Sequence, residues 1–390
     1  MLRNGRYRAR SPPTAWTACP PRTSSTGITW NFDFTMNSPE SATILLHEYV
    51  TGGGLAGEPL PESWALEGAA MRRALAAEFA AATRGSIRVL VTLDPRTPPD
   101  VGPWETAVVD SLDRLESLAR RDDYTLLIAP ETSGVLEDMT RRLISAGCRL
   151  LGSEPDAVAL TADKPALGEW LDRHGVQTPR SRVLEPGETP PPSWAYPAVV
   201  KPVDGAGSMD TFRIDGPDSF ERLARSTTPR LLQEFVAGVV MSATFLVFAG
   251  RARLIAIGEQ KIERCGGRFG YRGGRLPIEL PGAVQILTRA VESVSGLRGL
   301  IGVDFIHDEE RDGVVVLEIN PRPTTSCVGL CRLLPPGLLA DAWLTGIENP
   351  AAWDEVMDRI DGAVAGSRPV EFEASGRVWA LDHKLRGSRS

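Results

Sequence analysis

The chain has 390 residues, 42% of them hydrophobic and 24% charged, a balance that supplies a core and excludes a disordered or fibrous chain. The length suits two or three domains of ordinary size. Its 43 basic and 50 acidic residues leave a net charge of −7, which lacks the basic footprint of a nucleic-acid binder. Residues 1–35 stand apart, with five arginines, one acid (Asp33), two proline clusters and no apolar segment of the secretory type. They read as a disordered leader, a transit-like extension, or sequence ahead of a start at Met36. Without them the body carries −11.

Ala42–Tyr49 is an apolar run that stops at a glycine cluster, which predicts a buried strand. Ser63–Thr83 has alanine, leucine and methionine at helical spacing, with Ser63 as the expected cap. Ile87–Leu93, Trp104–Val109 and Tyr124–Ile128 predict further strands, the last two followed by helical patterns over Ser111–Arg121 and Val135–Ala146. Strands alternating with helices indicate a parallel, doubly wound sheet, so residues 36–155 form an α/β domain. Lys164–His174 is a helix ended by Gly175, and the proline-rich stretch Pro186–Pro197 follows it. Beyond that the pattern changes to strands over Val199–Pro202, Thr211–Ile214, Leu231–Val236 and Met241–Phe248, the last paired with Arg253–Gln260 around Gly250. Gly282–Ser295 is a helix, and Gly302–His307 with Val314–Asn320 form a hairpin around a charged turn. This half is α+β with antiparallel pairing. It divides into a smaller unit over 156–236, with its leading helix, and a larger one over 237–345. Residues 346–390 make a tail with a late strand near Val378.

No run of eighteen apolar residues occurs, so no membrane-spanning helix is expected. The five cysteines, Cys19, Cys148, Cys265, Cys327 and Cys331, are odd in number and scattered, which suits a reducing compartment such as the cytoplasm. Cys327 and Cys331 lack further ligands at zinc spacing and read as small, semi-buried thiols.

The second hairpin carries the clearest chemistry. Glu318 and Asn320 are two apart on a strand and share a face, while Leu317 and Ile319 point to a core. Asp304 on the partner strand sits between Val303 and Phe305. If Asp304 and Glu318 pair directly, their Cβ atoms are about 5 Å apart, and two carboxylates with an amide oxygen make an all-oxygen site suited to Mg²⁺. A slip of one residue would instead turn Asp304 into the core. Arg322 follows at once in Pro321-Arg322-Pro323. Lys201 ends a strand just before Asp204-Gly205-Ala206-Gly207-Ser208, a turn whose backbone N–H groups can approach phosphate. Lys164 opens a helix, where it is either solvated or aimed at the same anion. Leu231–Gly238 is an apolar strand with the polar pair Gln233-Glu234 near its end.

In this order the features resemble the ATP-grasp family of carboxylate–amine ligases, over residues 150–335 by motif and 40–150 by layout. The resemblance implies an N-terminal α/β domain and two α+β subdomains, the smaller a lid, that enclose a nucleotide. It implies that Lys164 and Lys201 hold ATP phosphates beneath the glycine loop of Gly205, Gly207 and Ser208. Gln233, Glu234 and Val236 would meet adenine. Asp304, Glu318 and Asn320 would bind Mg²⁺, for which Mn²⁺ can substitute, and Arg322 would meet the γ-phosphate or an acyl-phosphate. Many members place an acid for the ribose after the adenine strand; here Val239-Val240-Met241-Ser242 supplies none. Glu48-Tyr49-Val50-Thr51-Gly52-Gly53-Gly54 and Asn320–Ser326 look like the branch containing tyramine–glutamate ligases of methanofuran biosynthesis. That implies small-molecule substrates, a carboxylate such as glutamate and an amine, with neither nucleic acid nor membrane as partner and with room for a homodimer. The same fold also serves bicarbonate-dependent carboxylases and non-catalytic nucleotide binders.

The substrate elements are read from the residues alone. Gly52–Gly57 formally matches G-x-G-x-x-G, but Pro59 and Pro61 part it from the helix, which excludes a dinucleotide site. Gly53 and Gly54 still sit where open α/β sheets bind ligands. Glu48 beside them either reads an amine or is a solvated acid. Arg264–Arg275, rich in glycine and arginine, reads as a loop over the active site, in which Arg268 and Arg272 would clamp substrate carboxylates and Lys261 would add a phosphate contact, or as a solvated loop; a short RNA-binding segment fits an acidic chain less well.

Overall fold

The computed structural model describes residues 42–83, 87–98, 100–205, 210–221, 227–265, 267–308 and 313–381. The basic leader and the loop residues Gly207 and Ser208 lie outside the described residues. The front of the chain is a four-stranded parallel sheet of β1 (Ala42–Glu48), β2 (Ile87–Leu93), β3 (Glu105–Val108) and β4 (Tyr124–Ile128). Their order is β3-β2-β1-β4, so the chain reverses direction across the sheet between β1 and β4. Helix α1 (Glu62–Ala80) covers one face, while α2 (Leu112–Ala119) and α3 (Val135–Ser145) cover the other. β1 shows why: Ile44 and Leu46 face α1, whereas Leu45 faces α2 and α3. Ser63 is not the α1 cap. The helix starts one residue earlier behind Pro61, whose fixed φ suits a helix entry without a side-chain bond.

Two short helices, α4 (Pro155–Ala162) and α5 (Lys164–Arg173), lead out of this sheet. The second half builds one eleven-stranded sheet. Its strands are β5 (Ser181–Leu184), β6 (Ala198–Pro202), β7 (Phe212–Ile214), β8 (Arg230–Glu234), β9 (Val239–Phe248), β10 (Arg251–Cys265), β11 (Arg268–Leu276), β12 (Gly299–Asp308), β13 (Gly313–Asn320), β14 (Val370–Glu373) and β15 (Val378–Ala380). The small antiparallel group β5-β8-β6-β7 packs around Trp194, Val200, Leu232 and, from α6 (Pro217–Glu221), Phe220. It meets the larger group through one paired position, Arg268 with Phe212. The larger group, β13-β12-β9-β10-β11, is backed by α7 (Pro281–Glu292).

Two expectations change here. Arg264–Arg275 is not a loop: β10 runs to Cys265 and turns into β11. Two of the glycines that read as loop residues, Gly273 and Gly274, mark close strand approach. A Cβ on Gly273 would lie 2.0 Å from the Phe372 carbonyl oxygen of β14. The expected tail is integrated as well, because β14 pairs with β11 and helices α8 (Ser326–Leu333), α9 (Leu338–Glu348) and α10 (Trp353–Ala365) close the α1 face of the front sheet. Trp343 of α9 is fully buried there and donates its indole N–H to Leu151 O at 3.1 Å. Glu78 of α1 accepts from Leu339 N, and Asp341 accepts from Thr83 N, at 2.9 and 2.8 Å. No single described helix is long and apolar enough to cross a membrane.

Candidate active site

A cleft of about 1020 Å³, counted to its open mouth, lies between the small strand group and β12–β13. Its polar end is set by register. β12 and β13 are antiparallel and pair Asp304 directly with Glu318 and Gly302 with Asn320, so the three polar side chains share one face. Asn320 Nδ2 lies 3.3 Å from Asp304 Oδ2, and Gln260 Nε2 of β10 donates to Asp304 Oδ1 at 2.6 Å. Past this pair the register shifts, and Phe305 pairs with Val316. Leu317 is the extra residue of that bulge. It therefore lines the cleft beside Glu318 instead of entering the core with Ile319.

The charges of this end are strongly coupled. Burial and the neighbouring Glu318 charge hold the Asp304 carboxyl well above the usual range. Burial would raise Glu318 too, but the ammonium groups of Lys164 and Lys201 outweigh it and hold Glu318 low. Lys201, on β6, is brought down to about 8 by burial, helped by Lys164 and opposed by Glu318 and Asp304. Lys164 is the first residue of α5, placed by Asp163, whose side chain accepts from Ala166 N at 3.0 Å and caps the helix. Its Nζ donates to Gly205 O at 2.7 Å.

The other end is apolar and edged by backbone. Gln233 is buried within the ladder between β5 and β6, and Glu234, Phe235 and Val236 continue along the wall. Gly238 has φ +144, and a Cβ there would sit 2.3 Å from His307 O. The guanidinium of Arg213 lies 4.5 Å from the Phe235 ring centre, and Arg264 reaches both Phe235 and Phe269. Between the two ends Val240 and Ile306 line the wall, so the missing acid after the strand leaves an apolar stretch.

A second, small cavity of about 20 Å³, room for about one water, adjoins the polar end and shares Lys164, Gly205 and Glu318 with the cleft. Glu131, just past the carboxyl end of β4, lines it and accepts from Arg322 Nη2 at 2.9 Å. Burial opposes the Arg322 charge, but Glu131 more than restores it, with Glu67 and Glu318 adding to the effect.

Against this geometry the sequence matches an ATP-grasp domain over residues 161–326 and a pre-ATP-grasp domain over residues 87–158. The chain carries an ATP-grasp domain. It is 28% identical over 222 residues to the tyramine–L-glutamate ligase of Methanocaldococcus jannaschii, a match over 56% of this chain and 62% of that protein. The chain thus spans less than two thirds of that relative. An ATP-grasp superfamily protein from Archaeoglobus fulgidus superposes with a TM-score of 0.62 at 24% identity, over 85% of this chain and 92% of the other. An L-amino acid ligase from Bacillus licheniformis gives 0.56 at 15%, over 79% and 75%.

Within this ATP-grasp chain the expected residues fall into two groups. Lys164, Lys201, Gly205, Gln233, Glu234, Val236, Asp304 and Glu318 line the cleft, with Asn320 in the adjoining cavity. Lys261, Arg268 and Arg272 line neither. Alternation along β10 turns Gln260, Ile262 and Arg264 to the cleft and Lys261 away, where it pairs with Glu371. Arg268 pairs with Asp210 at 3.1 Å and Arg272 with Glu263 at 2.8 Å, all four exposed. Glu48 is buried and closes its own turn, accepting from Val50 N, Thr51 N and Thr51 Oγ1 at 3.0, 2.8 and 2.5 Å. Gly53 and Gly54 line a separate cavity, about 490 Å³ counted to its open mouth, with His47, Asp110, Ser111, Leu112 and Leu115, which shares no lining residue with the cleft.

Gln260, Glu131, Glu67, Tyr271 and Thr325 escaped the sequence reading. Thr325 Oγ1 donates to the Glu67 carboxylate of α1, and Tyr271 lies beside the same pair. Glu131 carried a usable signal, since it follows a strand at the point where an open sheet reverses direction and admits ligands. Among the described residues no three His, Cys, Asp or Glu side chains cluster as a metal site. Two carboxylates and one amide oxygen on a single face fit a hard ion such as Mg²⁺, which keeps its other positions for water and phosphate.

Proposed function

We propose that the chain is an ATP-dependent ligase that joins a carboxylate to an amine. The observation that carries this is the in-register Asp304–Glu318 pair with Asn320, facing Lys164 and Lys201 in one cleft that adjoins a second cavity. A cleft with an apolar wall would suit nucleotide binding alone; the carboxylates and lysines gathered at one end of it suit phosphoryl transfer. In this reading the substrate carboxylate attacks the γ-phosphorus and ADP leaves, giving an acyl-phosphate. The amine then attacks the acyl carbon, phosphate leaves, and the nitrogen loses a proton. Both partners of the first step are anions, so Lys164, Lys201 and Arg322 serve by offsetting their repulsion. Asp304, Glu318 and Asn320 would hold Mg²⁺, which supplies further charge neutralisation at the phosphates.

The relatives point to glutamate as the acid and tyramine as the amine, the pair after which the Methanocaldococcus protein is named. The test is ADP release that requires both an acid and an amine, with mass spectrometry of the product. Wild-type protein yields the mass of a dehydrative coupling, and Lys201→Ala and Glu318→Ala abolish it. Full activity in both variants would overturn the assignment, and a product from other substrates would remove the tyramine–glutamate choice alone.

A further inference from the structure

We propose that Gln260 sets the cation selectivity of the site, by fixing the Asp304 carboxylate so that it offers a metal one oxygen only. This rests on the reading of Asp304, Glu318 and Asn320 as the Mg²⁺ ligands. Gln260 belongs to none of the motifs and stands on β10, whereas the three ligands stand on β12 and β13.

Its reach follows from the register. β9 separates β10 from β12, so the two strands run about 10 Å apart. Across that gap Asp304 pairs with Ser242, and Ser242 pairs with Gly258. Gly258 and Gln260 are two apart on β10 and share a face. The residues that stand between Gln260 and Asp304 are thus a serine and a glycine, which leave the path over β9 open. The long glutamine side chain takes it, and Nε2 donates to Asp304 Oδ1 at 2.6 Å. Gln260 is half-buried and lines the cleft, so the contact is made inside the site.

The two oxygens of Asp304 are therefore unequal. Oδ1 is held by the short bond from Gln260. Oδ2 meets Asn320 Nδ2 at 3.3 Å, beyond the usual N–H···O range, and a half-turn of that amide gives a cation the Asn320 oxygen instead. Oδ2 is the oxygen left for a metal.

This inequality separates cations by their appetite for oxygen. Mg²⁺ and Mn²⁺ take single oxygens in octahedral geometry. Ca²⁺ is larger, gathers more oxygens and often uses both arms of one carboxylate. Chelation by both arms of Asp304 would break the Gln260 bond. A hydrogen bond to a charged carboxylate is worth roughly 10- to 150-fold in an equilibrium constant. That is the penalty the site sets against Ca²⁺.

The experiment uses the full chain with a non-hydrolysable ATP analogue and Mn²⁺ as the probe, its free fraction read by electron paramagnetic resonance. Mg²⁺ and Ca²⁺ are titrated in as competitors, which gives all three affinities without turnover. Gln260→Leu keeps the bulk and loses the amide, and Gln260→Asn keeps the amide and loses its reach. Each should raise the affinity for Ca²⁺ relative to Mg²⁺ by at least about tenfold over wild-type protein. Binding of the analogue by both variants reports an intact fold. A ratio within about twofold of wild type in both variants would overturn the proposal. That holds whether the affinities stay put or all fall together, the second result marking Gln260 as a ligand in its own right. Either result leaves the ligase reading standing. Mn²⁺ held no more tightly by wild-type protein with the analogue than by the analogue alone would remove the metal-ligand reading and this inference with it.

Discussion

Under the proposed function, the lowered pKa of Lys201 makes nucleotide affinity depend on pH in a window where few other groups titrate. In the free protein Lys201 loses its proton near pH 8 instead of 10.5, because burial disfavours the charged form. Bound triphosphate restores the charge, so binding above pH 8 takes up a proton. At pH 7 about nine tenths of the free protein is already protonated at this site, and at pH 9 only about one tenth, which weakens binding about tenfold between the two. Titration with a fluorescent ATP analogue at fixed salt and Mg²⁺ measures it directly. Lys201→Arg, ionised throughout, should abolish the dependence. The free protein has a matching stability signature. The folded-state pKa lies below the unfolded one, so between pH 8 and 10.5 the unfolded chain holds more protons and stability rises with pH. Affinities equal within twofold at pH 7 and 9, or the same slope in Lys201→Arg, would refute the reasoning.

Burial also brings His47 down to about 3, in a front-domain pocket where Nδ1 meets Thr92 Oγ1 at 2.8 Å. Its unfolded pKa is about 6.5, so acidification below that value protonates the unfolded chain first and removes stability at up to about 1.4 kcal/mol per pH unit. Urea unfolding at pH 6.5 and 5 should show wild-type protein losing about 1.6 kcal/mol more than His47→Gln, and equal losses would contradict it. Gly238→Ala forces a Cβ against the His307 carbonyl at a φ that L-residues avoid, so ATP affinity should drop at least tenfold with little loss of front-domain structure. Isothermal titration settles that. Trp343→Ala should cost about 3–5 kcal/mol in denaturant unfolding, a full core cavity, because the indole also loses its bond to Leu151 O.

The nucleotide end of the site was legible because its residues are tied to strand period and order. Glu318 and Asn320 had to share a face, and pairing with Asp304 came with the hairpin, as β12 and β13 show. Features created by long-range approach of the chain were not legible. The glycines of 266–274 read as a flexible loop, whereas Gly273 and Gly274 admit β14 from nearly one hundred residues later. Leu317 broke its expected alternation through a bulge that no local residue announces. Glu48 looked available beside a glycine turn, yet three donors within its own turn consume its carboxylate. Glu131 has no motif around it; its place just past β4 is the one local hint, and its partner Arg322 lies 191 residues away.

The helices that close the α1 face of the front sheet have a consequence for synthesis. Thr83 and its partner Asp341 are 258 residues apart. At about 5–20 residues per second, a ribosome needs on the order of ten to fifty seconds to extrude that span. During that interval Leu75 and Phe79, both fully buried in the finished protein, have no α8 or α9 to pack against. The first sheet to emerge is thus the one that must wait for the last part of the chain, and its apolar face is the nascent surface that chaperones would meet.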